Sequence, residues 1–270
     1  MSLLIWVFTL LGLFVGSFIN VCIDRLPQGQ SIIHPASHCS TCSRKLSVLE
    51  LVPLFSYIWL RGRCRYCRAP IPLRLPIVEG TTALLFTIIY WKFGLGFELG
   101  ISLIYASLLT IIFVVDLENQ LVLDKISYPS MALAFAFSFF WPGISEVGAL
   151  GGGIINQAVS PVAGEAVGQA VLSLVGGAFG LLAMALPFII YRRGMGMGDV
   201  KLGALVGLMV GYPLVIVAIL LSWISGGLVA GILLALKIKG LKDPIPSATF
   251  LATSAMVTLL WGEIIWQWYL

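Results

Sequence analysis

The chain has 270 residues, of which 59% are hydrophobic and 10% are charged. Soluble domains carry about 25% charged residues, so a soluble enzyme, or a soluble domain on a single anchor, is excluded and a polytopic membrane protein is expected. The formal charge of +4 reflects topology, with some attraction to anionic lipid headgroups, and not nucleic-acid binding.

A membrane crossing needs about 20 apolar residues. Eight stretches are candidates, at about 3–23, 76–93, 98–115, 126–142, 168–191, 199–211, 213–236 and 247–268. The expected fold class is therefore an all-α membrane protein of about eight transmembrane helices. No basic region precedes the first stretch and no small-residue cleavage site follows it, so it reads as a retained helix. The sixth is short for a crossing and calls for tilt, local thinning of the bilayer or a half-helix. Gly176, Gly177 and Gly180 in the fifth, and Gly226, Gly227 and Gly231 in the seventh, suggest close helix packing.

Residues 24–75 form the only soluble-looking loop of any size, and its apolar middle, Leu46 to Leu60, is too short and too broken by Pro53 to span. It is expected to pack on the membrane face or beneath the cysteines, with a re-entrant segment as the rival. Residues 143–167 read as an extracytoplasmic loop. Gly151 to Gly153 within it follow no strand, which argues against a phosphate site.

Lys and Arg fix the orientation. With the N-terminus outside and eight crossings, 15 of the 16 basic residues fall on one side and only Lys92 on the other. That side is expected to be cytoplasmic, with the loop 24–75 on it.

The loop holds Cys39-Ser40-Thr41-Cys42 and Cys64-Arg65-Tyr66-Cys67, with 21 residues between the pairs. Two such turns supply four thiolates for a tetrahedral zinc site. Free thiols or a redox pair are the alternatives. Arg61, Arg63, Arg65 and Arg68 offset the net negative charge of such a site. His38 is close enough in sequence to support it, and Cys22 in the first span is expected to be packed core.

Two aspartates carry the chemistry. Asp116 ends an apolar run, and Asp199 closes the turn Gly194-Met195-Gly196-Met197-Gly198-Asp199. A carboxylate at membrane depth costs roughly 2.5–3.5 kcal/mol on insertion scales, so it usually serves a function. Two that meet share one proton, and the ionised member can activate water while its partner polarises a peptide carbonyl. Gly196 and Gly198 are expected to allow an unusual turn and the approach of an extended substrate. Lys201 could sense the pair's charge or snorkel to the interface. Asp124 and Glu118 are expected in the loop after Asp116, and Glu79 beside a loop arginine. A transporter relaying protons through the two carboxylates is the reading from another class.

These residues resemble the bacterial type IV prepilin peptidases, intramembrane aspartic proteases of the G-x-G-D type. The likeness runs from Gly16-Ser17-Phe18-Ile19-Asn20-Val21 and Arg25-Leu26-Pro27, through the paired cysteines and Pro76-Ile77-Val78-Glu79, to Asp116 to Asp124 and Gly194 to Leu202. The resemblance implies catalytic roles for Asp116 and Asp199. It implies removal of the basic leader of prepilins or pseudopilins after a glycine at the cytoplasmic membrane face. Methylation of the new N-terminal amine by S-adenosylmethionine would follow. No soluble methyltransferase fingerprint is visible, so methylation rests on the resemblance alone, and a peptidase without it is the runner-up. The implied domains are a first helix (1–23), a cytoplasmic zinc-binding domain associated with methyl transfer (24–75) and a polytopic peptidase domain (76–270). The implied location is the bacterial inner membrane.

Overall fold

The computed structural model describes residues 2–140, 164–190, 196–238, 240 and 246–269. Most of the stretch 143–167, Gly194 and Met195 of the glycine-rich turn, and Arg192, Arg193, Lys239 and Lys242 of the orientation count lie outside the described residues. The helices are α1 (Ser2–Arg25), α2 (Phe55–Trp59), α3 (Arg74–Phe93), α4 (Phe97–Asn119), α5 (Asp124–Ser138), α6 (Glu165–Ile190), α7 (Met197–Val210), α8 (Leu214–Ala235) and α9 (Ser247–Tyr269), with a 3-10 turn at Val48–Leu51. Each of the eight expected apolar stretches overlaps a helix among the described residues. Among the described residues, five helices are long and apolar enough to cross a membrane: α1, α4, α6, α8 and α9. At 1.5 Å per residue, the 15 residues of α5 and the 14 of α7 reach only about 21–23 Å, short of a hydrocarbon core of about 30 Å.

The chain divides into two compact units, 1–111 and 112–270. In the first, α1 and α3 are antiparallel partners. Small residues let them close up: a Cβ on Gly12 would lie 2.6 Å from the Ala83 Cα, and one on Gly16 would lie 2.8 Å from the Glu79 Cα. Thr9 and Thr87 share a hydroxyl–hydroxyl bond of 2.8 Å, and Asn20 Nδ2 donates to the Leu75 carbonyl at 3.1 Å. Cys22 is buried, as expected. Glu79 accepts the Leu54 N–H at 2.8 Å and bonds the Ser17 side chain, a loop amide and a hydroxyl in place of the arginine expected. The segment from Val48 to Trp59 leaves Val48, Leu49, Phe55, Ile58 and Trp59 exposed, so those side chains are not folded beneath the cysteines.

In the second unit α7 is the most enclosed element, with Leu202, Leu205 and Val206 fully buried. It packs against α5, α6, α8 and α9. Its closest partner is α6, through paired small-xxx-small faces. A Cβ on Gly176 would lie 2.5 Å from the Gly207 carbonyl oxygen, and a Cβ on Gly180 would collide with the carbonyl of Gly203. The fifth-span glycines therefore pack as expected. In the seventh, Gly226 packs on the Phe250 ring, 3.4 Å from a Cβ placed there, whereas beside Gly227 and Gly231 a Cβ would meet nothing within 4 Å among the described residues.

Candidate active site and cysteine centre

Both aspartates are buried, with 4% of Asp116 and 6% of Asp199 exposed. Asp116 lies in the last turn of α4. Asp199 is the third residue of α7, where its carboxylate reaches back to the Gly196 N–H at 3.2 Å and caps the helix it belongs to. Both are then held by the first turn of α9. The Thr249 N–H donates to Asp116 Oδ2 at 2.7 Å and the Thr249 hydroxyl donates to the same oxygen at 2.8 Å. The Ser247 hydroxyl donates to Asp199 Oδ2 at 2.7 Å. A helix N-terminus offers free N–H groups and the positive end of its dipole, which suits an anionic side chain. The two carboxylates thus meet the same turn of α9, through Ser247 and Thr249.

The supporting residues are placed differently from their expected roles. Neither glycine of the turn adopts a left-handed backbone; Gly196 has φ −84° and ψ 152°. Gly198 is required by packing instead, since a Cβ there would lie 2.7 Å from the Val122 Cβ. A Cβ on Gly196 would lie 3.8 Å from the Gly198 N and 4.0 Å from Asp199 Oδ2, ordinary van der Waals contact. Asp124 is the first residue of α5 and Glu118 belongs to the last turn of α4, so both extend helices where a loop was expected. Lys201 Nζ donates to Asp124 Oδ1 at 2.6 Å and lies 5.1 Å from the Tyr128 ring. Its observed partners are thus on α5.

Ser247 and Thr249 were not singled out from the sequence. The signal available was Pro246-Ser247-Ala248-Thr249 before an apolar run, which reads as an ordinary helix start.

The four cysteines converge in the first unit. Their sulfurs all lie within 4.8 Å of one another, with Cys39 and Cys67 3.8 Å apart. Four thiolates around zinc at about 2.3 Å would be roughly 3.8 Å apart in a tetrahedron, so the donor set fits. Both pairs sit on the same kind of turn. The Cys39 N–H donates to the Arg44 carbonyl, and the Ser43 N–H to the Cys39 carbonyl; the Cys64 N–H donates to Ala69, and the Arg68 N–H to Cys64. Ser43 and Arg68, at equivalent positions, have φ of +55° and +57°. The Arg44 guanidinium covers the Tyr66 ring at 3.6 Å and joins one turn to the other. The N–H groups of Cys42 and Thr41 hold the Cys39 thiol down to about 6. The Ala69 N–H favours the Cys67 thiolate, but burial and the sulfurs of Cys64, Cys42 and Cys39 push that thiol up to about 11. Four crowded sulfurs that cannot all ionise unaided are a setting a divalent cation relieves. His38 turns away; its Nδ1 lies 3.1 Å from the Ala36 carbonyl oxygen.

The sequence matches known proteins along most of its length. The profile described as Bacterial Peptidase A24 N-terminal domain matches residues 10–93, and that of the Type IV leader peptidase family matches residues 103–231. The prepilin leader peptidase/N-methyltransferase of Aeromonas hydrophila is 30% identical, over 97% of this chain and 92% of its own length. That of Pseudomonas putida is 31% identical over 96% and 91%, and that of Bacillus subtilis 29% over 96% and 95%. The chain belongs to the type IV leader peptidase family. No solved structure matches it. The family profile contains both aspartates and ends before α9, so Ser247 and Thr249 lie beyond its matched region.

Proposed function

We propose that this chain is an intramembrane aspartic endopeptidase that removes the basic leader of type IV prepilins or pseudopilins after a glycine and then methylates the new N-terminal amine. The observation that carries the peptidase half is the pair Asp116 and Asp199, from different helices and tied by hydroxyl donors to one turn of α9. Of the two carboxyls one is ionised and one protonated. The ionised member takes a proton from water as the water oxygen adds to the peptide carbonyl carbon. The protonated member gives its proton to the carbonyl oxygen. The intermediate then collapses: the carbon–nitrogen bond breaks, the leaving amine takes the proton from the first carboxyl, and the second recovers its own from the hydroxyl. Ser247 and Thr249 orient the acids.

The relatives' names support the methyltransferase half. S-adenosylmethionine would supply the methyl group that the freed amine takes up; no residue is assigned to the donor. Cys39, Cys42, Cys64 and Cys67 would hold zinc. Four sulfurs fill a tetrahedron and leave no position for water, so the metal is structural. We assign domains 1–23, 24–75 and 76–270, eight crossings of the bacterial inner membrane, and a cytoplasmic face for the cysteine loop and the dyad. The bias of 15 among 16 basic residues supports that orientation.

The test is incubation of the purified full chain with a synthetic prepilin, with and without S-adenosylmethionine, read by mass spectrometry. The expected products are a released leader and, with the donor, a mature chain heavier by one methyl group. An uncut prepilin rules out the reading. A cut chain that never gains the methyl group leaves a peptidase alone.

A further inference from the structure

Leu54 is tied to the α1–α3 pair. Its N–H donates to Glu79 at 2.8 Å, and Glu79 packs against Gly16 of α1, where a Cβ would lie 2.8 Å from the Glu79 Cα. Gly16 stands nine residues before Arg25, the last residue of α1, which is about 13 Å along a helix at roughly 1.5 Å per residue. Because α1 is long and apolar enough to cross a membrane, that level lies within the hydrocarbon, whose half-thickness is about 15 Å. The loop is thus drawn toward the bilayer at Leu54. It is held there in a left-handed backbone, φ +56°, that a branched side chain rarely adopts.

The next residue starts α2. It presents Phe55, Ile58 and Trp59 on one face, at the spacing of helical neighbours, with the Phe55 and Trp59 rings stacked at 5.9 Å. Ile58 is 73% and Trp59 76% exposed. Val48 and Leu49, exposed on the 3-10 turn that packs on α2, extend the open apolar surface. Such a patch in water marks an interaction site, and tryptophan beside a basic rim is the composition of a membrane interface. The rim is present. Arg44, Lys45, Arg61, Arg63, Arg65 and Arg68 flank the segment and are all exposed. The one acid among them, Glu50, accepts the N–H and the hydroxyl of Ser47. Even beside a doubly negative zinc–thiolate centre, this surface keeps an excess of positive charge.

We propose that the face formed by Val48, Leu49, Phe55, Ile58 and Trp59 inserts into the bilayer leaflet on the loop's side, and that the basic rim binds the phosphates of anionic phospholipids there. The cysteine centre, whose turns carry that rim, is then held at the headgroup layer. The tether to Glu79 selects lipid over a partner protein in the aqueous phase, because it holds this face at the level of the membrane. The excess of positive charge selects anionic over zwitterionic headgroups. The proposal rests on α1 crossing the membrane and not on the peptidase chemistry, so a chain that cut no prepilin would leave it standing.

The experiment uses the full chain in vesicles of phosphatidylcholine and phosphatidylglycerol in equal parts. Photoreactive benzoylphenylalanine replaces Ile58, and the adduct formed on illumination is read by mass. The same group in place of Leu10, on the open face of α1, is the lipid-facing reference. The Ile58 position should label phospholipid in a yield comparable to the Leu10 position. It should take phosphatidylglycerol over phosphatidylcholine by at least about 3-fold, since each cation near the surface is attracted to anionic lipid. Arg61→Gln with Arg63→Gln should bring that ratio close to parity, and Arg61→Lys with Arg63→Lys should keep it. A label on protein, no label, or equal label on the two lipids overturns the proposal, as does a ratio that the Gln pair leaves unchanged. If the Gln pair fails to fold, salt decides on the chain with its arginines intact: about 0.5 M NaCl should move the ratio toward parity, and a ratio indifferent to salt overturns the proposal.

Discussion

Thr249 donates twice to a single oxygen of Asp116, from its N–H at 2.7 Å and its hydroxyl at 2.8 Å. Two residues earlier, Ser247 donates to Asp199. The helix that carries neither acid therefore fixes both, and the spacing of two residues in one turn sets where each carboxyl points. A pair that must divide one proton needs such a third element, because two buried anions would otherwise repel.

Thr249→Val keeps the backbone donor and the side-chain shape but loses the hydroxyl. A hydrogen bond to a charged group contributes about 1.5–3 kcal/mol, so kcat for leader removal should fall by about 10- to 100-fold with KM little changed. Thr249→Ser should restore most of it. Steady-state cleavage of a synthetic prepilin checks this; a loss in the Ser variant with none in the Val variant would show that bulk rather than the hydroxyl matters.

Asp116→Asn and Asp199→Asn should each lower cleavage by about 10²–10⁴-fold, the range of general acid–base catalysis. The wild-type rate should rise and then fall with pH, since one carboxyl must be ionised and the other protonated, and the two apparent values belong to the pair. A rate that is flat across the acid range, or an Asn variant that cuts normally, is the result that removes the dyad.

The helices were legible in the sequence because a run of apolar residues reports membrane burial directly. The cysteine centre was legible too, since the spacing of each pair is a local property. The clamp on the acids was not. Thr249 and Asp116 are 133 residues apart, and no periodicity links a hydroxyl at one helix start to a carboxyl at another helix end. Glycines were ambiguous for a related reason. Gly198 reads as a turn residue, yet Val122 against it is what excludes a side chain. Gly227 reads as a packing residue, yet among the described residues nothing packs on it. Sequence shows that a side chain is missing and not what occupies its place.

The Lys201–Asp124 ion pair at 2.6 Å should contribute little. The two side chains are 25% and 58% exposed, and pairs of this kind give about 0–1 kcal/mol. Lys201→Met and Asp124→Asn should each change unfolding free energy by about 1 kcal/mol or less, and the double variant should match the worse single one. A denaturation cycle on the four proteins measures the coupling. A loss of cleavage far beyond the loss of stability would instead give Lys201 a direct part at the dyad.

About one equivalent of zinc should be bound per chain, and Cys64→Ser should reduce it. Residues 24–75 bring their ligands from two distant turns, so a chelator should expose the loop to limited proteolysis while the α6–α7 pair stays intact. Metal analysis beside a proteolysis time course checks both statements. Full zinc in Cys64→Ser would show that the sulfurs converge for another reason.

Two alanine substitutions should separate a packed glycine from an open one. At Gly180 a methyl group would collide with the Gly203 backbone carbonyl, and backbone cannot rotate away as a side chain can. Overpacking of this sort costs about 1–3 kcal/mol, so Gly180→Ala should lower the unfolding temperature in detergent and loosen α6 from α7. At Gly231 the same methyl group has nothing within 4 Å, and helix propensity alone favours alanine by about 1 kcal/mol. Gly231→Ala should therefore match or exceed the wild-type unfolding temperature. Equal melting of the two variants would mean that α6 and α7 do not meet through their glycine faces.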